Sequence, residues 1–166
     1  MYANRFRKDF FDVRQSLISS EELYSRTGIQ KQNFNTVYQL YCDKLAGRLD
    51  KADSMLMIPE YLMWRLSGVK AREYTNATTT GMVNGEFDME IVKKLGYPEH
   101  LFPKLSQPKT VLGDLLPEIA ERVGGNCKIV LCATHDTGSA VLAMPTNSEN
   151  AIYLSSGTWS LMGVEM

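Results

Sequence analysis

No stretch of the 166 residues comes near the ~18 consecutive apolar positions that a membrane-spanning helix needs. The N-terminal MYANRFRKDFFDVRQ also lacks the apolar core of a signal peptide, so neither a membrane nor export is expected. A basic surplus is missing too. Lys and Arg total 18 against 19 acids, for a net charge of −1, which gives a phosphate backbone nothing to bind and speaks against nucleic acid. The single compact basic cluster, RFRK at residues 5–8, reads as a solvated N-terminal segment. Cysteine is scarce: Cys42, Cys127 and Cys132 form no C-x-x-C pair and are expected as buried thiols in a reducing cytoplasm, without metal. Internal repeats and low-complexity tracts are absent. What remains is 44% hydrophobic and 22% charged, an ordinary globular composition long enough for one domain with a core.

Helix signals fill the first three quarters. SSEELYSRTG starts at Ser20 before two acids and stops at Gly28. NFNTVYQLYCDKLAG spaces Phe34, Val37, Tyr38, Tyr41 and Leu45 for one helical face, with Asn33 or Asn35 as the cap. PEYLMWRLSG sets Pro59 in a first turn and Gly68 past the end, with an aromatic and methionine stripe expected in the core. REYTNATTTGMVNGEF is rich in threonine and predicts extended or turn structure. DMEIVKKLG is a short helix capped by Asp88. LGDLLPEIAERVGG carries a stripe from Leu112 to Val123, with Pro117 in its first turn.

The last forty residues change character. CKIVLCA, residues 127–133, is a continuous apolar run of strand length and predicts a strand buried on both faces. THD then leads into TGSAVLAM, a small-residue helix stopped by Pro145. TNSEN, residues 146–150, reads as a linker and candidate domain boundary. AIYLSSGTWSLMGVEM predicts strand, tight turn and strand, with Ser156 and Gly157 at the turn.

Chemistry concentrates in two places. Ligands of open α/β sheets bind beyond the carboxyl ends of strands, where His135 and Asp136 fall. A stably ionised carboxylate there can take a proton from a substrate hydroxyl; the same residue can equally be a plain helix cap. Gly138, Ser139 and Ala140 are small enough for a ligand or a neighbouring segment to come close. In SSGTWS, Gly157 and the Thr158 hydroxyl offer an anion a turn of N–H and O–H donors, though serine-rich hairpin turns of no such purpose are common. A hydrolase relay of His135, Asp136 and Ser139 is a further reading, weakened because neighbours at a strand end point apart.

ATHDTGSAVLAMP followed by AIYLSSGTWSLMGVE resembles the inter-domain crossing of the FGGY carbohydrate kinases. TGIQKQNFNTVYQL and EYTNATTTGMVN are similar to segments of the branch that phosphorylates L-rhamnulose, and together the likeness runs from about Ser19 to the end. It implies an α/β chain that is part of an actin-like, ribonuclease H-like ATPase fold, helix-rich with a partial sheet. Residues 1–146 would be the later part of the sugar-binding domain and 147–166 the first strands of the nucleotide-binding domain. Asp136 would be the catalytic base, His135 and Thr137 its companions on the sugar, and Gly157 and Thr158 contacts to ATP. The implied reaction moves the ATP γ-phosphoryl group to O1 of L-rhamnulose with Mg²⁺, in the cytoplasm. The family's members are much longer, and their first phosphate-binding hairpin has no counterpart here. The chain is therefore expected to be an internal segment, inactive alone and prone to self-association through exposed edges. A non-catalytic sugar-binding or scaffold module, or a kinase for another ketose, are the other readings.

Overall fold

The computed structural model describes residues 17–146, 148, 151–158 and 160–164. The basic cluster at 5–8 and most of the 146–150 linker lie outside them.

The helix signals place the first elements closely. Helix α1 (Ser20–Thr27) is capped by Ser19, whose Oγ accepts the Glu22 N–H at 3.0 Å, one residue before the expected start; Gly28 closes it in the left-handed region. Helix α2 (Thr36–Leu45) buries Val37, Tyr38, Leu40 and Tyr41, while Phe34 and Leu45, expected on the same face, are exposed. Asn35 precedes it without capping it: its side chain accepts from the Gln32 N–H and donates to the Thr79 carbonyl, tying two loops. A 3-10 turn (Leu49–Lys51) leads to helix α3 (Ile58–Ser67).

One expectation fails at this point and another holds only in part. The stripe of α3 is not core: Ile58, Tyr61, Leu62 and Leu66 are exposed, and the helix's one buried residue is Glu60. The threonine-rich stretch is turn or extended only from Thr79 onward. It makes a short helix α4 (Tyr74–Thr78), because the Glu73 carboxylate caps its first N–H groups and the Thr78 hydroxyl folds back onto the Thr75 carbonyl.

Strands β1 (Val83–Asn84) and β2 (Glu86–Phe87) form a tight hairpin around Gly85, and helix α5 (Met89–Leu95) follows under its Asp88 cap. A second 3-10 turn (Glu99–Leu101) completes the core-forming part. Its core draws on Ile18 through Leu105, with Phe102 edge-on to Phe87 at 5.3 Å and stacked with Tyr97 at 6.1 Å. The Tyr97 hydroxyl donates to the Val37 carbonyl at 2.7 Å, so its polar end is satisfied inside the apolar packing.

Beyond Leu105 the burial thins out. Strand β3 (Val111–Asp114) takes up Leu112, which was expected in a helix, and pairs antiparallel with β4 (Lys128–Val130) across a bulge between Val111 and Gly113. Helix α6 (Pro117–Val123) buries no residue. The 127–133 run is not a strand buried on both faces: Lys128 and Val130 are exposed, and only Leu131 is fully enclosed. Cys127 and Cys132 are exposed thiols and Cys42 is half-buried, against the expectation of buried ones. Helix α7 (Asp136–Leu142) follows, then β5 (Ile152–Ser156) and β6 (Ser160–Val164), an antiparallel hairpin in register from Ile152↔Val164 to Ser156↔Ser160, as its sequence predicts. Tyr153 lies opposite Gly163, and its ring fills the space a side chain there would need. Helix α7 lies against β5.

Candidate functional site

Leu131 fixes the approach to the THD segment. Its side chain is fully buried, its N–H donates to the Thr110 carbonyl at 2.8 Å, and its carbonyl accepts the Lys109 N–H at 2.6 Å. Four residues on, the chain turns into α7, with His135 in an extended conformation at the N-cap and Asp136 as the first helical residue. His135 makes no side-chain cap. Its half-buried ring lies over Gly138, where an added Cβ would sit 3.1 Å from Nδ1. The space that Gly138 leaves is thus used by the histidine itself.

Asp136 is exposed. Oδ1 accepts the Thr137 N–H at 2.7 Å and a long contact from the Thr137 hydroxyl at 3.4 Å, and Oδ2 accepts no hydrogen bond among the described residues. The Ser139 hydroxyl donates to the Ala133 carbonyl at 2.8 Å, so it braces the helix against the strand end and is not paired with His135. The serine relay has no geometric support.

Behind this segment stands a residue that no local pattern singles out. Glu73 has no exposed surface. Oε1 accepts the Thr75 N–H at 2.7 Å, and Oε2 accepts from the Thr75 hydroxyl at 2.6 Å and the Asn76 N–H at 3.0 Å. Oε2 also accepts the Thr134 N–H at 3.1 Å and the Thr134 hydroxyl at 2.9 Å. The Thr75 oxygen in turn accepts the His135 N–H at 3.2 Å. Burial pushes the Glu73 carboxyl up, but these donors outweigh it and hold it below the usual carboxylate range. The backbone N–H of Glu73 is itself bound by Glu60 Oε1 at 2.8 Å, and the second Glu60 oxygen accepts the Met57 N–H at 2.8 Å. Burial raises the Glu60 carboxyl despite those bonds. Next to both, the buried Arg72 donates to the Ser54 hydroxyl at 2.7 Å.

A family model described as the N-terminal domain of the FGGY family of carbohydrate kinases matches residues 9–143. The chain belongs to the FGGY family. It is 50% identical over 155 residues to a rhamnulokinase of Oceanobacillus iheyensis, which takes in 90% of this chain and 33% of that protein. With a rhamnulokinase of Halalkalibacterium halodurans it shares 51% over 150 residues, 87% of this chain and 32% of the other. A solved carbohydrate kinase from Novosphingobium aromaticivorans superposes with a TM-score of 0.75 at 26% identity, over 95% of this chain and 35% of that one. The chain therefore spans about a third of the length of the curated relatives it matches. The fold expectation holds: this is part of the actin-like fold of the FGGY kinases, helix-rich, with only two-stranded sheets among the described residues.

Of the positions that the FGGY resemblance marks, the structure brings His135, Asp136 and Thr137 together at the start of α7. Gly157 and Thr158 are exposed at the tip of the β5–β6 hairpin, and among the described residues no hydrogen bond joins them to Asp136. A cavity of about 280 Å³ bordered by Phe87, Met89 and Phe102 lies elsewhere and includes none of them. Among the described residues no three His, Cys, Asp or Glu side chains gather to hold a metal ion, and no helix is long and apolar enough to cross a membrane.

Proposed function

We propose that this chain forms the sugar-facing wall, and supplies the general base, of a cytoplasmic FGGY kinase that transfers the γ-phosphoryl group of ATP to O1 of L-rhamnulose. The observation that carries the reading is Asp136: one carboxylate oxygen is held by a backbone N–H while the other stays open toward solvent. A carboxylate fixed in this way can accept a hydroxyl proton as that oxygen attacks, and such help contributes roughly 10²–10⁴ in rate. His135 and Thr137, half-buried on either side, would orient the sugar. The exposed bend at Gly157 and Thr158 offers N–H and O–H donors to ATP phosphates.

ATP would supply the phosphoryl group and Mg²⁺, when bound, would screen its charge, chemistry that rests on positioning and electrostatics. The described residues alone do not build a metal cage. The boundary between sugar-binding and nucleotide-binding parts is placed at 146/147. The family match ending at residue 143 supports it.

Two assays test the proposal. The chain alone, given ATP, Mg²⁺ and a panel of ketoses, is expected to show no turnover; rates near the ~1–100 s⁻¹ typical of kinases would refute the incomplete-site reading. Grafted in place of the matching third of the Oceanobacillus iheyensis rhamnulokinase, it is expected to turn over L-rhamnulose in preference to other ketoses. Asp136→Asn in the graft should cut kcat by at least about 10²-fold while sugar still binds. Retained activity would remove Asp136 as the base.

A further inference from the structure

We infer that Glu73 is a positioning residue for the reaction: one buried carboxylate fixes the start of α4 and the Thr134–His135 backbone, and so sets where Asp136 stands. The inference rests on reading Asp136 as the base, but its own footing is geometric.

Glu73 Oε2 takes four hydrogen bonds, two from α4 and two from Thr134, 61 residues away in sequence. A plain helix cap needs only the two N–H bonds from Thr75 and Asn76. The extra pair reaches across to the strand end, and the Thr75 hydroxyl extends it: its proton goes to Glu73, which turns its lone pairs toward the His135 N–H. Consecutive amides of Thr134 and His135 are thus held from the same side, directly before Asp136. Only an acceptor-only group fits a site in which every neighbour donates. Glutamine keeps the shape but brings an NH₂ among N–H and O–H donors. Glu73 touches neither sugar nor ATP in this scheme; it acts through the backbone that carries the base.

Small displacements of a reacting group cost about 10²-fold in rate. Glu73→Gln in the graft is therefore expected to lower kcat by about 10- to 100-fold and to raise the sugar KM, with the ATP KM unchanged. A variant that merely lowers the amount of folded enzyme would reduce kcat and leave both KM values alone, and that result would overturn the inference. In the chain itself, Glu73→Gln should speed amide hydrogen exchange at Thr134 and His135 at least about tenfold, with core amides such as Leu95 unaffected. If Glu73→Gln fails to fold, Thr134→Val removes one of the four donors and keeps the cap on α4; it should show the same split of KM values in smaller measure, and wild-type kinetics would refute the clamp. The two readings fail separately. Activity surviving Asp136→Asn sinks the base, whereas wild-type kinetics in Glu73→Gln beside an inactive Asp136→Asn sinks only the clamp.

Discussion

Glu60 offers the sharpest test of the polar cluster that supports the site. It is 3% exposed, sits in the first turn of α3, and spends both oxygens on backbone N–H groups, those of Met57 and Glu73. Truncation to alanine strands the Glu73 N–H, which is buried, at a cost of about 1–3 kcal/mol. It also removes the reciprocal cap of α3, worth about 0.5–2 kcal/mol; the Met57 N–H lies nearer the surface and water can replace part of that bond. Glu60→Ala is thus expected to lose about 2–4 kcal/mol, a large share of a typical 5–15 kcal/mol. Urea unfolding followed by the fluorescence of Trp64, on the same helix, measures it. The pH dependence has a definite sign. Burial raises the folded-state pKa of Glu60, so its favourable contribution is complete below the unfolded value and fades as pH rises through the raised one. Glutamine cannot titrate, so the advantage of the wild type over Glu60→Gln should be larger at about pH 4 than at about pH 7. A loss under about 0.5 kcal/mol in Glu60→Ala, the range of ordinary surface changes, would refute the reasoning.

Asp88 titrates with the opposite sign. The Arg26 guanidinium grips it at 2.7 and 3.0 Å, and with the Ile91 and Glu90 N–H groups holds its carboxyl below the usual range, so its contribution is present above the ordinary carboxylate pKa and lost as pH falls through the lowered value. Asp88→Asn should cost about 1–2 kcal/mol at neutral pH and flatten the acid limb of stability; an acid limb identical to wild type would count against it. We also propose that the chain alone self-associates, because Ile58 and Leu62 on α3 expose apolar surface, as do Leu154 and Met162 on the last hairpin, which pairs with no further strand among the described residues. Light scattering should then give a mass above 18.7 kDa that grows with concentration, and a clean monomer would refute it.

Local chemistry was the legible part of the sequence. Gly28, Gly68, Gly96 and Gly124 each end a helix where their pattern predicts, and the residues from Ile152 to Val164 pair as a hairpin. What escaped depends on distant partners. The apolar stripe of α3 predicts burial, but burial needs something to pack against, and no described element covers Ile58 or Leu62. The apolar run at 127–133 reads as a buried strand, yet among the described residues β4 pairs with β3 alone in a two-stranded sheet, and Val130 and both flanking cysteines are exposed. At the candidate site, Asp136 was legible through the strand-to-helix turn that carries it. Glu73 was not, because a cap on a threonine-rich stretch looks local until the chain folds Thr134 against it.

Among the described residues, those packed into the apolar cluster all fall between Ile18 and Leu105, and Leu131 is the one enclosed hydrophobic after them. Such a distribution makes the molecule a firm body with a soft extension. Amides at the enclosed residues Val37, Val92 and Leu95 should open only with global unfolding, and those of β3, α6 and the final hairpin far sooner. His135 and Asp136 ride on the seam, moored to the firm side by the Glu73 carboxylate and the Thr75 hydroxyl, and the carboxylate that would accept the proton moves with whichever side holds it.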